Sequence, residues 1–161
     1  MAITIKRPGD IEKLARSNNY VAKTLNYLQA KVTPGMTLSQ INAMGEAFIA
    51  DLGVRPAFKG LYGFPAGVCT SLNEVIIHGI PDETIVKEGD ILGLDIGVEC
   101  DGWYGDAAIT MPIGTVSKSD EALIACAKDT LYHAVDVIRD GMRFKELSYE
   151  MEQFIVGRGY V

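Results

Sequence analysis

The sequence predicts an α/β protein of the α+β kind, in which helices cover an antiparallel sheet. Apolar residues recur at helical spacing near the amino terminus and again after residue 117. Between them, residues 91–111 alternate between apolar and other side chains, the period of a half-buried strand. A helical segment also occurs twice at a constant offset. We expect the 161 residues to form a single domain.

The composition is that of a folded protein, and the sequence contains no direct motif for nucleic-acid binding. The chain is 48% hydrophobic and 22% charged, carries a net charge of −6 and contains no basic run. No apolar run approaches the roughly 20 residues of a membrane helix, and the first residues lack the apolar core of a signal peptide. Three widely spaced cysteines argue against a disulfide framework. We therefore expect no membrane association and a cytoplasmic location.

Two antiparallel helices are predicted first. Pro8 suits the first turn of a helix, because its fixed φ is helical and its missing N–H is not needed there. The residues 37–40 (TLSQ) form a capping-box pattern that opens the second helix, and Gly53 ends it. The buried stripe of the first helix is predicted to comprise Ile11, Leu14, Ala15, Val21, Ala22, Leu25 and Leu28.

Residues 55–80 are richer in glycine, proline and β-forming residues. The run 58–65 (FKGLYGFP) indicates an aromatic loop. Val68–Leu72 and Val75–Ile77 are predicted to be short strands, separated by the dipeptide Asn73-Glu74. The run 87–90 (KEGD) then turns the chain into the next strand.

A β-hairpin over Ile91–Met111 is the central prediction. The dipeptide Asp101-Gly102 favours a two-residue type I′ turn, because both positions need a positive φ. That turn places Gly97 opposite Asp106 and Asp95 opposite Ala108. Asp95 and Asp106 are then diagonal neighbours on one face, at roughly 7–8 Å between Cα atoms.

Two ionised carboxylates at this separation must share a proton, reach water or hold a cation. No lysine or arginine lies between Lys87 and Lys118 to neutralise Asp95 and Asp106 locally. One interpretation is a metal site, and two divalent ions about 3.5–4 Å apart would suit the pair. The other is two solvent-facing aspartates on an exposed strand. The neighbours on the carboxylate face are small, which leaves room for an ion: Gly93, Gly97 and Ala108.

The segment Gly35–Gly53 resembles Gly141–Gly159. The identical pairs are Gly35/Gly141, Met36/Met142, Glu46/Glu152, Phe48/Phe154, Ile49/Ile155 and Gly53/Gly159. Either two helical hairpins share capping chemistry, or a unit has been duplicated. In the first copy, strands with the candidate chemistry follow. We therefore expect a longer gene product to continue into strands that carry further metal ligands.

Three runs closely resemble methionine aminopeptidases of the bacterial type I class: GFPAGVCTSLNEV (63–75), NEVIIHGIP (73–81) and GDILGLDIGVECDGWYGDAAITM (89–111). The resemblance covers nearly all of the chain. It implies the pita-bread aminopeptidase fold, built from two pseudo-symmetric halves. This chain would hold one complete half and the helices of the second, as the N-terminal portion of a longer catalytic domain.

The resemblance implies an enzyme that performs N-terminal methionine excision from nascent polypeptides, with the polypeptide N-termini at the ribosome as its partners. It implies two divalent metal ions as cofactors, among cobalt, manganese, iron, zinc and nickel. Asp95 would chelate one ion and Asp106 would bridge two. His78 would lie beside the scissile amide, both as a substrate-binding and as a catalytic residue. Without the resemblance, a histidine in such a loop is more often a structural hydrogen-bonder.

The same resemblance places Phe58, Phe64 and Cys69 in the pocket for the methionine side chain. A flexible thioether packs well on aromatic and sulfur groups. The residues alone leave simpler roles open: Cys69 as a small buried side chain, and both phenylalanines as core. Leu61 departs from the family, since it stands where many members have a pocket tyrosine.

The family takes a metal-binding histidine and two glutamates from its second half. We therefore expect the isolated chain to have little or no peptidase activity, and its uncovered apolar surface to favour self-association. The alternative functions are an Xaa-Pro aminopeptidase of the same fold, and a non-catalytic relative that binds a peptide or protein.

Overall fold

The computed structural model describes residues 4–161. The chain divides into two compact units, Met1–Val116 and Ser117–Val161, which are described separately. The expectation of a single domain stays a prediction. Among the described helices, none is both long enough and apolar enough to cross a membrane.

The first unit contains an antiparallel sheet and two long helices. Its elements are α1 (Pro8–Lys31), α2 (Leu38–Asp51), β1 (Arg55–Pro56), a short 3-10 turn (Leu61–Gly63), β2 (Val68–Leu72), β3 (Ile91–Cys100) and β4 (Trp103–Pro112). Strand β3 pairs with β4 along one side and with β1 and β2 along the other, always antiparallel. The inward side chains of β3 and the two helices form the core, which includes Val21, Leu28, Ile41, Ile49, Leu92, Leu94, Ile96 and Val98.

Helix α2 begins as its sequence predicts. The Gln40 amide donates to Thr37 Oγ1 at 3.1 Å, and the Thr37 amide donates to Gln40 Oε1 at 2.9 Å. This reciprocal capping box satisfies amide groups that have no partner within the helix.

The predicted stripe of α1 is only partly correct. Val21, Leu25 and Leu28 are buried, but Ile11 is 57% exposed. Ser17 takes a buried position instead, because its hydroxyl donates to the Trp103 carbonyl at 3.0 Å. Polar burial is tolerated where the hydroxyl has a hydrogen-bond partner.

The central hairpin has the predicted turn and register. Asp101 and Gly102 have φ values of 53° and 81°, as a type I′ turn requires. Gly97 pairs with Asp106, and Asp95 pairs with Ala108. The two aspartates therefore lie on one face of the sheet, opposite the buried face of β3.

The predicted strand Val75–Ile77 is wrong. After β2, Asn73 adopts a positive φ of 49°, and the Val75 amide donates to the Leu72 carbonyl at 3.0 Å. The Asn73 side chain also accepts from the Ile91 amide at 3.0 Å. These contacts turn the chain away from the sheet, so local β propensity is overridden.

The second unit contains α3 (Lys118–Val137) and α4 (Phe144–Val156). Ser117 caps α3 by accepting from the Asp120 amide at 3.2 Å, and the ring of His133 stacks on Phe154 with centroids 4.3 Å apart. Several apolar side chains of this unit remain largely exposed on the helices and at the end of α3: Leu131, Tyr132, Val135, Ile138, Phe144 and Tyr149.

Candidate metal and substrate site

The hairpin of β3 and β4 positions the two candidate metal ligands. Asp95 is partly buried and Asp106 is exposed. The backbone amide of Asp106 donates to Asn18 Oδ1 of α1 at 3.3 Å, which fixes this part of the strand against the helix. The carboxylate pair is thus carried by rigid elements.

The electrostatics of the pair favour a proton or a cation between the carboxylates. The pKa of Asp95 is raised, first by burial and then by the negative charge of Asp106, while His78 acts in the opposite direction. The charge of Asp106 therefore acts on Asp95 across the face of the hairpin that the two residues share.

One cavity joins the carboxylates to an apolar wall. It has a volume of about 440 Å³ and is lined by Phe58, Leu61, Tyr62, Gly63, Phe64, Pro65, Cys69, His78, Ile80, Asp95 and Asp106. This volume is within the range of small-molecule sites and can accept an amino-acid side chain. All six residues that the sequence singled out, Phe58, Phe64, Cys69, His78, Asp95 and Asp106, line this single cavity.

Cys69 contributes a neutral sulfur to this wall. It pairs with Asp95 in the register of β2 and β3 and is 3% exposed. Burial raises the pKa of its thiol to about 11, and the charges of Asp95 and Asp106 add to the effect. The side chain therefore acts as an apolar surface at neutral pH.

His78 lies in a loop that packs closely on β2. Its φ is 58°, and the next residue, Gly79, accepts from the Thr70 amide at 2.9 Å. A Cβ on Gly79 would lie 2.2 Å from the Thr70 carbonyl oxygen, so no larger residue fits there without a shift. The Gly79 amide also donates to Ser71 Oγ at 3.2 Å.

The donor set fits part of a metal site. Asp95 and Asp106 provide hard oxygen donors on one face, which suit divalent ions. Across residues 4–161, no group of three or more histidine, cysteine, aspartate or glutamate side chains is arranged to hold an ion. Asp95 and Asp106 are therefore two candidate ligands, and no third side chain of these types is arranged with them in the described part of the chain.

Sequence reasoning did not identify Asn18 as a support of the site. It is 88 residues from Asp106, and nothing in its own helix distinguishes it from other exposed polar residues. The pairing of an edge-strand amide with a distant side chain becomes visible only in the tertiary structure.

Comparison with known proteins places this chain in a class of metallopeptidases. Residues 12–161 match metallopeptidase family M24. The chain is 53% identical to a methionine aminopeptidase of Helicobacter pylori over 161 residues, which cover all of this chain and 64% of that protein. The chain belongs to metallopeptidase family M24.

Solved structures of related proteins have the same fold as this chain. The crystal structure of a methionine aminopeptidase from Thermotoga maritima matches with a TM-score of 0.94 and 32% identity, over 98% of this chain and 64% of that chain. An Xaa-Pro dipeptidase from Bacillus anthracis matches with a TM-score of 0.85 and 18% identity, over 97% and 42%, which shows the fold alone. The predicted pita-bread α/β fold is confirmed. The chain spans about 64% of the length of curated relatives such as the methionine aminopeptidases of Helicobacter pylori and Clostridium perfringens.

Proposed function

We propose that this chain forms part of an enzyme that removes the N-terminal methionine from nascent polypeptides by metal-activated hydrolysis. The observation that carries the proposal is the cavity in which an aromatic and sulfur wall adjoins a carboxylate pair and a histidine. The 53% identity to a methionine aminopeptidase supports the choice of substrate.

The residues divide into two groups with different tasks. Phe58, Phe64 and Cys69 bind the methionine side chain, since aromatic rings and a neutral thiol attract a thioether. His78 lies at the same cavity and donates a hydrogen bond near the scissile amide. This arrangement would hold the substrate amide beside the carboxylates.

Asp95 and Asp106 would both provide carboxylate oxygens to the two divalent ions that we propose as cofactors. When bound, such ions lower the pKa of a water molecule and polarise a carbonyl. The carboxylates would lose their mutual repulsion at the same time, because the cations compensate their charge. Cobalt, manganese, iron, zinc and nickel all remain candidates, since carboxylate and imidazole ligands accept several of these metals.

Residues 1–161 alone should show little peptidase activity. Within the described part of the chain, the two carboxylates have no third ligand arranged with them. A divalent ion usually needs four or more ligands, some of which are water. Turnover of a Met-Ala peptide by this chain at an ordinary enzymatic rate would contradict this part of the proposal.

Substrate choice is tested on the intact gene product. We expect a kcat/KM for a Met-Ala-Ser peptide that exceeds the value for an Ala-Pro dipeptide by about 100-fold or more. The Cys69→Asp variant should lose much of this preference, because a charge would enter the apolar wall. A preference for the Ala-Pro dipeptide would favour an Xaa-Pro aminopeptidase, and no hydrolysis of either would favour a binding protein.

The proposal also concerns partners and location. Nascent polypeptide N-termini are available at the ribosome, so we expect the protein to act there, in the cytoplasm. The isolated chain should self-associate, because large apolar side chains such as Leu131, Val135 and Phe144 are 60%, 61% and 88% exposed. Light scattering that shows a monodisperse monomer over a wide concentration range would contradict self-association.

A further inference from the structure

We infer that Glu46, with Asn42, is a positioning residue for the substrate pocket. It fastens both ends of the pocket loop (residues 57–67) to helix α2 and so sets the shape of the apolar wall. This inference rests on the proposed function, because it assumes that the cavity binds the methionine side chain. Glu46 is not among the residues that line the cavity.

The pocket loop supplies most of the cavity wall. Its first residues are attached to β3, where the Ala57 amide donates to the Gly97 carbonyl at 2.8 Å, but beyond Phe58 the loop has few anchors of its own. Six of its residues line the cavity. Leu61 is 52% exposed and Tyr62 is fully exposed, so burial of these side chains does little to hold the loop. Its internal contacts are short-range, such as the Gly60 amide donating to the Phe64 carbonyl at 2.8 Å.

Glu46 contacts the loop near both ends. At its start, Lys59 Nζ lies 2.5 Å from Glu46 Oε2. At its end, the Gly67 amide donates to Glu46 Oε1 at 2.8 Å. A single carboxylate therefore connects two points of the loop, and these points enclose Leu61, Tyr62 and Phe64.

Asn42 stands one helical turn before Glu46 and completes the arrangement. Its Oδ1 accepts from the amides of Gly67 and Val68 at 3.1 and 3.0 Å. Its Nδ2 donates to Glu46 Oε1 at 3.2 Å. This spacing brings both side chains to one face of the helix, where each fixes the other.

The backbone geometry shows that this contact is a close fit. A Cβ on Gly67 would lie 2.7 Å from Glu46 Cγ and 3.0 Å from Pro56 Cβ. A Cβ on Gly45 would lie 2.7 Å from Val68 Cγ2. Helix α2 therefore approaches the start of β2 as closely as glycine permits.

Glu46 is also held in its charged form. Burial favours a higher pKa for this carboxyl group, but hydrogen bonds from Lys59, Asn42 and the Gly67 amide outweigh it, and the pKa is lowered. An ionised acceptor makes stronger hydrogen bonds than a neutral one.

The test measures the loop and the pocket separately, in the 161-residue chain. Amide hydrogen exchange at Gly60, Gly63 and Phe64 reports on the loop. Titration with free L-methionine reports on the pocket. The variants are Glu46→Ala, and also Glu46→Gln and Lys59→Met, which remove the ion pair while keeping most of the packing. Glu152→Ala is the matched control, since Glu152 occupies the equivalent position of the repeated segment and is exposed.

In Glu46→Ala we expect exchange of the three loop amides to become about tenfold faster, while the amides of β3 and β4 keep their rates. Affinity for L-methionine should fall about tenfold, because the pocket is no longer preorganised. Glu46→Gln and Lys59→Met should show smaller changes in the same direction, and Glu152→Ala none.

Unchanged loop exchange in Glu46→Ala and Glu46→Gln would overturn the inference, as would equal acceleration of the loop and of β3. A wild-type chain that binds no L-methionine, yet shows the faster loop exchange in the variants, would count against the proposed function. It would leave the attachment of the loop to α2 supported.

Discussion

The ring of Phe58 lies against the backbone of Gly97, so closely that a Cβ on Gly97 would be 2.4 Å from Phe58 Cε1. Gly97 pairs with Asp106 and follows Asp95 by two residues on the same strand. One glycine therefore joins the apolar wall of the cavity to the carboxylate pair.

Replacement of this glycine should damage the pocket more than the fold. In Gly97→Ala, the Phe58 ring must move, because three of its carbon atoms lie within 3.0 Å of the added Cβ position. We expect affinity for L-methionine to fall about tenfold, measured by calorimetric titration. Gly9→Ala serves as the control, since nothing lies within 4 Å of a Cβ there. Equal affinities in the two variants would show that Phe58 does not shape the site.

Stability should depend on pH through Glu99, which holds the hairpin turn. Its carboxylate accepts from the Gly102 amide at 2.5 Å and from Arg55 Nε at 2.8 Å. These bonds keep the pKa of Glu99 below its ordinary value of 4.5, against the effect of burial. Because the folded-state pKa is the lower one, the stabilisation is complete above the unfolded-state pKa and is lost as pH falls through the folded-state pKa.

The Glu99→Gln variant should therefore lose less stability on acidification than the wild type. Urea unfolding between neutral pH and about pH 3 measures the difference. The exposed Glu12→Gln change should follow the wild-type curve. Parallel curves for wild type and Glu99→Gln would mean that the turn is held without the charge of Glu99.

Two neighbouring residues of one loop should differ in their roles: His78 should matter for activity, and Gly79 for the stability of the fold. His78 has a positive φ, which glycine adopts without strain, so His78→Gly should leave the free energy of unfolding unchanged within about 1 kcal/mol. Gly79→Ala should destabilise by roughly 1–3 kcal/mol, because its Cβ would collide with the Thr70 carbonyl. Denaturant unfolding measures both.

In the intact gene product, His78→Gly should reduce kcat on a Met-Ala-Ser peptide. Full activity of that variant would exclude a catalytic role for the imidazole.

Much of the central sheet could be predicted from the sequence, because local chemistry decides it. The Asp101-Gly102 turn fixes the register of the hairpin, and the register puts both aspartates on one face. For residues 75–77, the sequence predicts a strand on β propensity alone. Instead, the Asn73 side chain donates to Asp90 Oδ1 and accepts from the Ile91 amide, at 3.0 Å each. These bonds direct the chain away from the sheet after β2.

The residues that hold the site in place cannot be predicted from the sequence. Asn18, Asn42 and Glu46 are ordinary polar residues on amphipathic helices, and their partners lie 88, 25 and 21 residues away. Burial of Ser17 in place of Ile11 has the same origin. A Cβ on Gly105 would lie 2.5 Å from the Ser17 carbonyl carbon, so the closeness of α1 to β4 decides which side of the helix faces inward.

The most direct test of the account is whether Asp95 and Asp106 bind a divalent ion beside the apolar pocket. Titration of the chain with Mn²⁺ can be followed by NMR, because the paramagnetic ion broadens the resonances of nearby nuclei even when binding is weak. Asp95→Asn and Asp106→Asn remove one charge each with little change in shape. Asp101→Asn is the matched control on the same hairpin, where asparagine tolerates the positive φ and only the exposed ion pair with Arg16 is lost.

We expect Mn²⁺ to broaden the signals of Cys69, His78 and Ala108 first in the wild type and in Asp101→Asn. In Asp95→Asn and in Asp106→Asn, the concentration that produces the same broadening should rise about tenfold or more. Broadening at these residues that is equal in all four proteins, or that appears first elsewhere in the chain, would contradict a metal site at this carboxylate pair.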